Sequence, residues 1–280
     1  MGCSMTGQSM SWAGLSAGPH VMGILNVTPD SFSDGGDRLD PMAAVEAGLR
    51  MLVDGATILD VGGESTRPGA EMVSPEIEQA RVLPVIRALA AHGAVVSVDT
   101  RNAGTMARAL DVGALIVNDV SGLRHDPASR ALVAARRCSV ILMHMRGTPA
   151  TMGGLAQYED VVVEVCAELA AMTAAAEEAG VARGAIALDP GFGFAKTAEH
   201  NVVLLRGLGT LSATGLPIVA GISRKSTIGM LTGIDDPRRR GPGSVAAALF
   251  AWTRGARVLR VHDVADTVQA LRVWRGLAAV

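Results

Sequence analysis

The chain has 280 residues, and its 25 Lys and Arg against 27 Asp and Glu give a net charge of −2, which excludes nucleic acid or any other bulk polyanion as a partner. Apolar residues make up 49% and charged residues 19%, which excludes disorder, while only 3% aromatics leave Ala, Val, Leu, Ile and Met to fill the core. Three cysteines, Cys3, Cys138 and Cys166, form no disulfide or metal pattern and fit a reducing compartment. No apolar run approaches the roughly 18 residues of a membrane span. The first basic residue is Arg38, so no signal-peptide start is expected, and the expected location is the cytoplasm.

Residues 1–19 are rich in Ser, Gly and Met without periodicity and read as a flexible N-terminal tail. Residues 20–280 then alternate regularly. Short apolar runs occur at Val21–Asn26, Thr57–Gly62, Val95–Asp99, Leu115–Asn118, Val140–His144, Ala185–Asp189, Pro217–Gly221 and Arg257–His262. Between them lie segments of helical spacing, among them Pro41–Asp54, Ser74–His92, Ala103–Val112, Tyr158–Ala179, Glu199–Ser212 and Val245–Arg254. Asp40-Pro41 and Ser74-Pro75-Glu76 pair an N-cap residue with Pro in the first turn. Alternating strands and helices imply a parallel sheet covered by helices, and eight such units close into a barrel. No linker interrupts them, so the expected fold is a single-domain α/β protein, a (β/α)8 TIM barrel. An open doubly wound sheet would need a glycine-rich turn after its first strand, and no GxGxxG stands there. The longest irregular segments, Thr28–Asp40, Glu64–Ser74 and Arg146–Gln157, are expected to be functional loops.

Polar residues collect where the apolar runs end: Asn26, Glu64, Asp99, Asn118, His144, Asp189, Arg224-Lys225 and His262. In a barrel that face is where catalytic groups converge. Asp99, Asn118 and Asp189 suit a flat heterocycle offering several N–H donors and lone pairs, although Asp and Asn serve equally as helix caps. Arg260 and His262 stand two apart and, with Asn26 on the adjoining first strand, suit an anion. Ser223-Arg224-Lys225-Ser226 opens a short helical segment where an anion can bind, yet Lys225 also suits a Schiff base.

Together these segments resemble the dihydropteroate synthase family of folate biosynthesis. The resemblance is carried by Gly23–Gly36, which includes Asn26-Val27-Thr28-Pro29-Asp30-Ser31-Phe32-Ser33-Asp34, and by Asp60-Val61-Gly62-Gly63-Glu64-Ser65-Thr66-Arg67-Pro68-Gly69. It continues through Asn118-Asp119-Val120-Ser121-Gly122, Met143-His144-Met145, Asp189-Pro190-Gly191-Phe192-Gly193-Phe194-Ala195-Lys196, Ser223–Ser226 and Arg260-Val261-His262-Asp263-Val264. These run in the family's order from about Val21 to the C-terminus; Ala195 stands where many members have Gly.

The resemblance implies a TIM barrel that joins 6-hydroxymethyl-7,8-dihydropterin pyrophosphate to 4-aminobenzoate with Mg2+, a sulfonamide target, and commonly a homodimer. It implies pterin binding by Thr66, Asp99, Asn118, Met143, Asp189 and Lys225. It places Asn26, Arg67, Arg260 and His262 at pyrophosphate, with Asn26 also at the metal. Phe32, Pro68, Phe194 and Ser226 form its aminobenzoate subsite, and Asp34, Lys225, Arg260 and His262 are its expected catalytic residues. Three alternatives stay open on residues alone: a methyltetrahydrofolate-binding methyltransferase barrel, an aldolase acting through Lys225, and a non-catalytic pterin binder.

Overall fold

The computed structural model describes Trp12 and residues 18–28, 40–65 and 73–278. Eight parallel strands, β1 His20–Asn26, β2 Ile58–Gly62, β3 Val96–Asp99, β4 Ile116–Asp119, β5 Ser139–Met143, β6 Ile186–Asp189, β7 Ile218–Ala220 and β8 Ala256–Val261, follow one another around a closed barrel. β8 pairs with β1 through Met22↔Arg260 and Gly23↔Val261, so no sheet edge is left and the open-sheet alternative is excluded.

Helices α1 Pro41–Val53, α2 Pro75–Ala91, α3 Ala103–Asp111, α4 Ser129–Arg136, α5 Val161–Glu178, α6 Ala198–Arg206, α7 Leu208–Ser212, α8 Ser226–Thr232, α9 Gly241–Thr253 and α10 Val264–Ala278 pack around the strands. Asp40 caps α1 by accepting from Met42 N at 2.8 Å, and Ser74 caps α2 by accepting from Ile77 N at 3.4 Å. Asp160 accepts from the backbone of Val162 and Val163, which starts α5 at Val161 rather than at Tyr158. The continuous helix expected over Glu199–Ser212 is instead two, α6 and α7, separated at Gly207. Glycine is a weak helix residue, and a Cβ there would lie 2.7 Å from Val162 Cγ2 on α5, so close packing requires the residue that interrupts the helix.

The barrel interior is stacked in layers. Met22, Ile58, Ile116, Ile141, Ala187, Val219 and Val258 form one apolar cluster, and Trp12 joins it at 1% exposure. Trp12 belongs to the stretch read as a tail, but its indole packs against this inner cluster. Because side chains alternate along a strand, the residues two further on point into the same interior. Among them are Asp60, Asn118, Met143, Asp189, Gly221 and Arg260, with Asp99 following buried Ser97 on β3.

Candidate active site

That second layer contributes to a cup formed by Asp99, Asn118, Val120, Met143, Asp189, Phe194, Gly221, Lys225 and Arg260. Arg260 binds its wall together: Nε donates to Asp60 Oδ2 and Nη2 to Asp99 Oδ2, both at 2.6 Å. Asn118 Nδ2 donates to the same Asp60 oxygen at 3.0 Å, so β2, β3, β4 and β8 are linked through one guanidinium and one amide. Asp189 Oδ1 accepts from Gly191 N at 2.7 Å. Three acidic side chains, Asp60, Asp99 and Asp189, thus share the region with two basic ones, Arg260 and Lys225.

Burial raises the titration of these acids. Asp99 is pushed up to about 7 by desolvation, with Arg260 opposing and Asp60 reinforcing the rise. Asp189 is also raised by burial, against the pull of Lys225. Lys225 is lowered to about 8 by burial, with Asp189 opposing and Arg260 assisting. Such mutual perturbation in a cleft marks functional chemistry.

Lys225 donates to Phe192 O and lies 4.8 Å from the centre of the Phe194 ring, so it joins the start of α8 to the turn after β6. That turn needs glycine at Gly191, where φ is +68° and a Cβ would fall 1.9 Å from His144 O. Ala195 has φ +49°, the left-handed conformation that favours glycine, so alanine here carries local strain.

The structure therefore brings Asp99, Asn118, Met143, Asp189, Phe194, Lys225 and Arg260 together. Asn26, at the end of β1, His262 and Ser226 do not line this cup. His262 follows β8, and its Nδ1 is 3.0 Å from Ser223 Oγ, which also accepts the His262 backbone N–H at 3.2 Å. Burial lowers its titration to about 4, with Arg224 and Arg260 assisting, which favours the neutral imidazole. Ser226 is the exposed first residue of α8. Arg224, in the basic turn, is engaged by both oxygens of Asp263. Phe32, Asp34, Thr66, Arg67 and Pro68 lie outside the described residues. Glu64 Oε1 accepts from Val73 N at 3.1 Å and from Arg101 at 3.0 Å, tying together the two flanks of residues 66–72.

His144 does not point into the cup as a strand-end polar group was expected to: it is fully buried, with its ring between Lys196 and Glu168. Asp60, Val120 and Gly221 were not singled out as site residues. Asp60 sits inside β2 rather than at its end, and the signal that finds it is its place two residues beyond the inward-facing Ile58.

Residues 22–262 match the family described as pterin binding enzyme. The dihydropteroate synthase of Neisseria meningitidis serogroup C is 49% identical over 262 residues, covering 92% of this chain and 93% of that one. The structure of Xanthomonas albilineans dihydropteroate synthase with 4-aminobenzoic acid superposes with TM-score 0.89 at 50% identity, covering 94% of each chain. The same enzyme in complex with 7,8-dihydropteroate gives TM-score 0.87 at 47% identity, covering 96% of this chain and 98% of that one. With both the barrel and the sequence shared over nearly their full lengths, the chain belongs to the dihydropteroate synthases of the pterin-binding enzyme family.

Proposed function

We propose that the cup holds the ring of 6-hydroxymethyl-7,8-dihydropterin pyrophosphate and that the protein joins its methylene carbon to the nitrogen of 4-aminobenzoate, giving 7,8-dihydropteroate and pyrophosphate. The observation that carries this reading is the convergence of Asp99, Asn118, Asp189, Lys225 and Arg260 on one cup. A pterin edge offers amino and ring N–H donors beside lone pairs, and a buried carboxylate lacking donors is costly. Met143 supplies an apolar wall, Lys225 donates to the ring, and Thr66 lies beside it.

The leaving group falls to Asn26, Arg67, Arg260 and His262. Two of the five guanidinium N–H donors of Arg260 are committed to Asp60 and Asp99, so pyrophosphate draws on the others. Ser223 Oγ accepts the His262 backbone N–H and lies 3.0 Å from Nδ1; with the Ser223 hydroxyl donating to Nδ1, His262 offers Nε2–H as the donor. The donor chemistry fits Mg2+ arriving with the pyrophosphate. Mg2+ is bound by few protein oxygens plus substrate phosphates, Asn26 offers an amide oxygen, and no group of three His, Cys, Asp or Glu gathers among the described residues. Asn26 would hold the ion, which supplies charge neutralisation at pyrophosphate.

The substitution is SN1-like. The C–O bond breaks first, the dihydropterin ring carries a delocalised cation, and the Asp34 carboxylate stabilises that cation. The arylamine, neutral at pH 7, attacks without a strong base, placed by Phe32, Pro68, Phe194 and Ser226. A cytoplasmic homodimer is part of the same reading. The purified protein should release pyrophosphate when given both substrates and Mg2+; release that ignores aminobenzoate, or none at all, refutes the reaction. Asp34→Asn should slow turnover far more than it weakens pterin pyrophosphate binding, and equal losses in both would refute the cation role.

A further inference from the structure

Behind the turn that carries Phe194 lies a buried polar cluster separate from the ring cup. Lys196, 9% exposed, places Nζ 2.8 Å from His144 Nδ1 and 3.1 Å from each of Gly191 O and Phe194 O. In its ammonium form Lys196 offers three donors to three acceptors, two of which are the backbone carbonyls that open and close the turn, while burial lowers its titration to about 7 with Asp189 opposing. His144 Nε2 is 3.0 Å from Glu168 Oε2 on α5, and Arg146 Nε donates to Glu168 Oε1 at 2.9 Å. Glu168 only accepts, so the imidazole hydrogen is on Nε2 and Nδ1 is free to accept from Lys196. Burial lowers His144 to about 3, keeping the ring neutral as this pattern requires. The Arg146 guanidinium lies 4.0 Å from the Tyr158 ring centre, and Tyr158 returns to the turn by donating its hydroxyl to Ala195 O at 3.0 Å.

Lysine is seldom buried without a reason, and left-handed alanine persists only where its surroundings hold it. Both features meet here, on consecutive residues. We propose that Lys196 is a positioning residue that fixes the Phe194 ring for 4-aminobenzoate, with Tyr158 holding the same turn through Ala195. This rests on the aminobenzoate reading of Phe194. Asp189, by contrast, is held by the barrel: it pairs with Met143 in register, and its carbonyl accepts from His144 N at 2.9 Å. Loosening the turn at its Phe194 end therefore displaces that ring more than Asp189, whose backbone the barrel holds and whose Oδ1 accepts from Gly191 N at the start of the turn.

The test is steady-state kinetics of Lys196→Met, Tyr158→Phe and Phe194→Ala, with each substrate varied at saturation of the other. Losing the Lys196 anchor should raise the KM for 4-aminobenzoate about tenfold, and losing the Tyr158 hydroxyl about threefold, with the KM for pterin pyrophosphate within about twofold of the parent. An equal rise in both KM values, or a fall in kcat with both unchanged, overturns the proposal. If Lys196→Met does not fold, Tyr158→Phe, which removes one hydroxyl from a half-buried ring, decides alone: an unchanged 4-aminobenzoate KM overturns the proposal. Phe194→Ala separates the premises. If it leaves that KM unchanged, the subsite reading fails; if it raises it while the other two variants match the parent, the subsite stands and the positioning role fails.

Discussion

Ile58, Ile116, Ala187 and Val258 fill the lower barrel with hydrocarbon, whereas Asp60, Asn118, Asp189 and Arg260, two residues further along the same four strands, carry charge and amide groups. The backbone path is common to both layers, so the contrast comes from the side chains. The lower layer works by filling volume, which many apolar residues can do. In the upper layer each polar atom needs a named partner. The lower layer also matters to the upper one: a dry apolar floor reduces solvation beneath the carboxylates, which strengthens the Arg260 pairs and raises the titration of Asp99.

The largest effect should follow from breaking the upper layer at its hub. Arg260→Met leaves Asp60 and Asp99 facing each other without their cation, and should lower kcat/KM by about a thousandfold or more and cost about 3 kcal/mol of stability. Single-turnover pyrophosphate release and urea denaturation measure the two losses. Adding Asp60→Asn should restore part of the stability and none of the activity, because the repulsion is relieved but the leaving-group donor is still missing. Activity within tenfold of the parent would mean that the upper layer is structural polarity only.

A smaller effect, confined to stability, belongs to the lower layer. Trp12→Ala should cost about 3 kcal/mol in urea denaturation with both KM values unchanged. Trp12→Phe should cost under about 1.5 kcal/mol, since it keeps most of the volume. It also removes an indole N–H that has no acceptor among the described residues. A changed KM in either variant would erase the distinction between floor and site.

The alternation of apolar runs and helical spacing made the barrel legible, because each unit is a local pattern. The ring site was legible where a polar residue ends a run, as at Asp99, Asn118 and Asp189. Asp60 escaped that criterion because it lies within β2, flanked by Leu59 and Val61, and only the inward pleat reveals it. Trp12 gave no signal: a lone aromatic among Ser, Gly and Met has no period, and its burial depends on a cavity that seven strands create together. The Lys196 cluster was hidden for a related reason. Its members lie on the end of β5, on α5 and after β6, and no spacing along the chain brings Glu168 and Lys196 to opposite sides of one imidazole.

The subtlest difference between the layers is in pH. Asp99 titrates near 7 in the folded protein and near 3.8 when unfolded, so between those values the native state keeps a proton that the unfolded chain releases. The stability this residue contributes is complete below pH 3.8 and is lost as pH rises through about 7. Asp99→Asn cannot titrate. Its Tm relative to the parent should therefore improve between pH 4 and pH 8, by several degrees. Taking the difference removes His144 and His262, whose lowered values act with the opposite sign in both proteins. Trp12→Phe, altered only in the floor, should differ from the parent by the same amount at every pH. If Asp99→Asn behaves in that way too, Arg260 holds Asp99 ionised across this range and the proposed uptake of a proton by Asp99 fails.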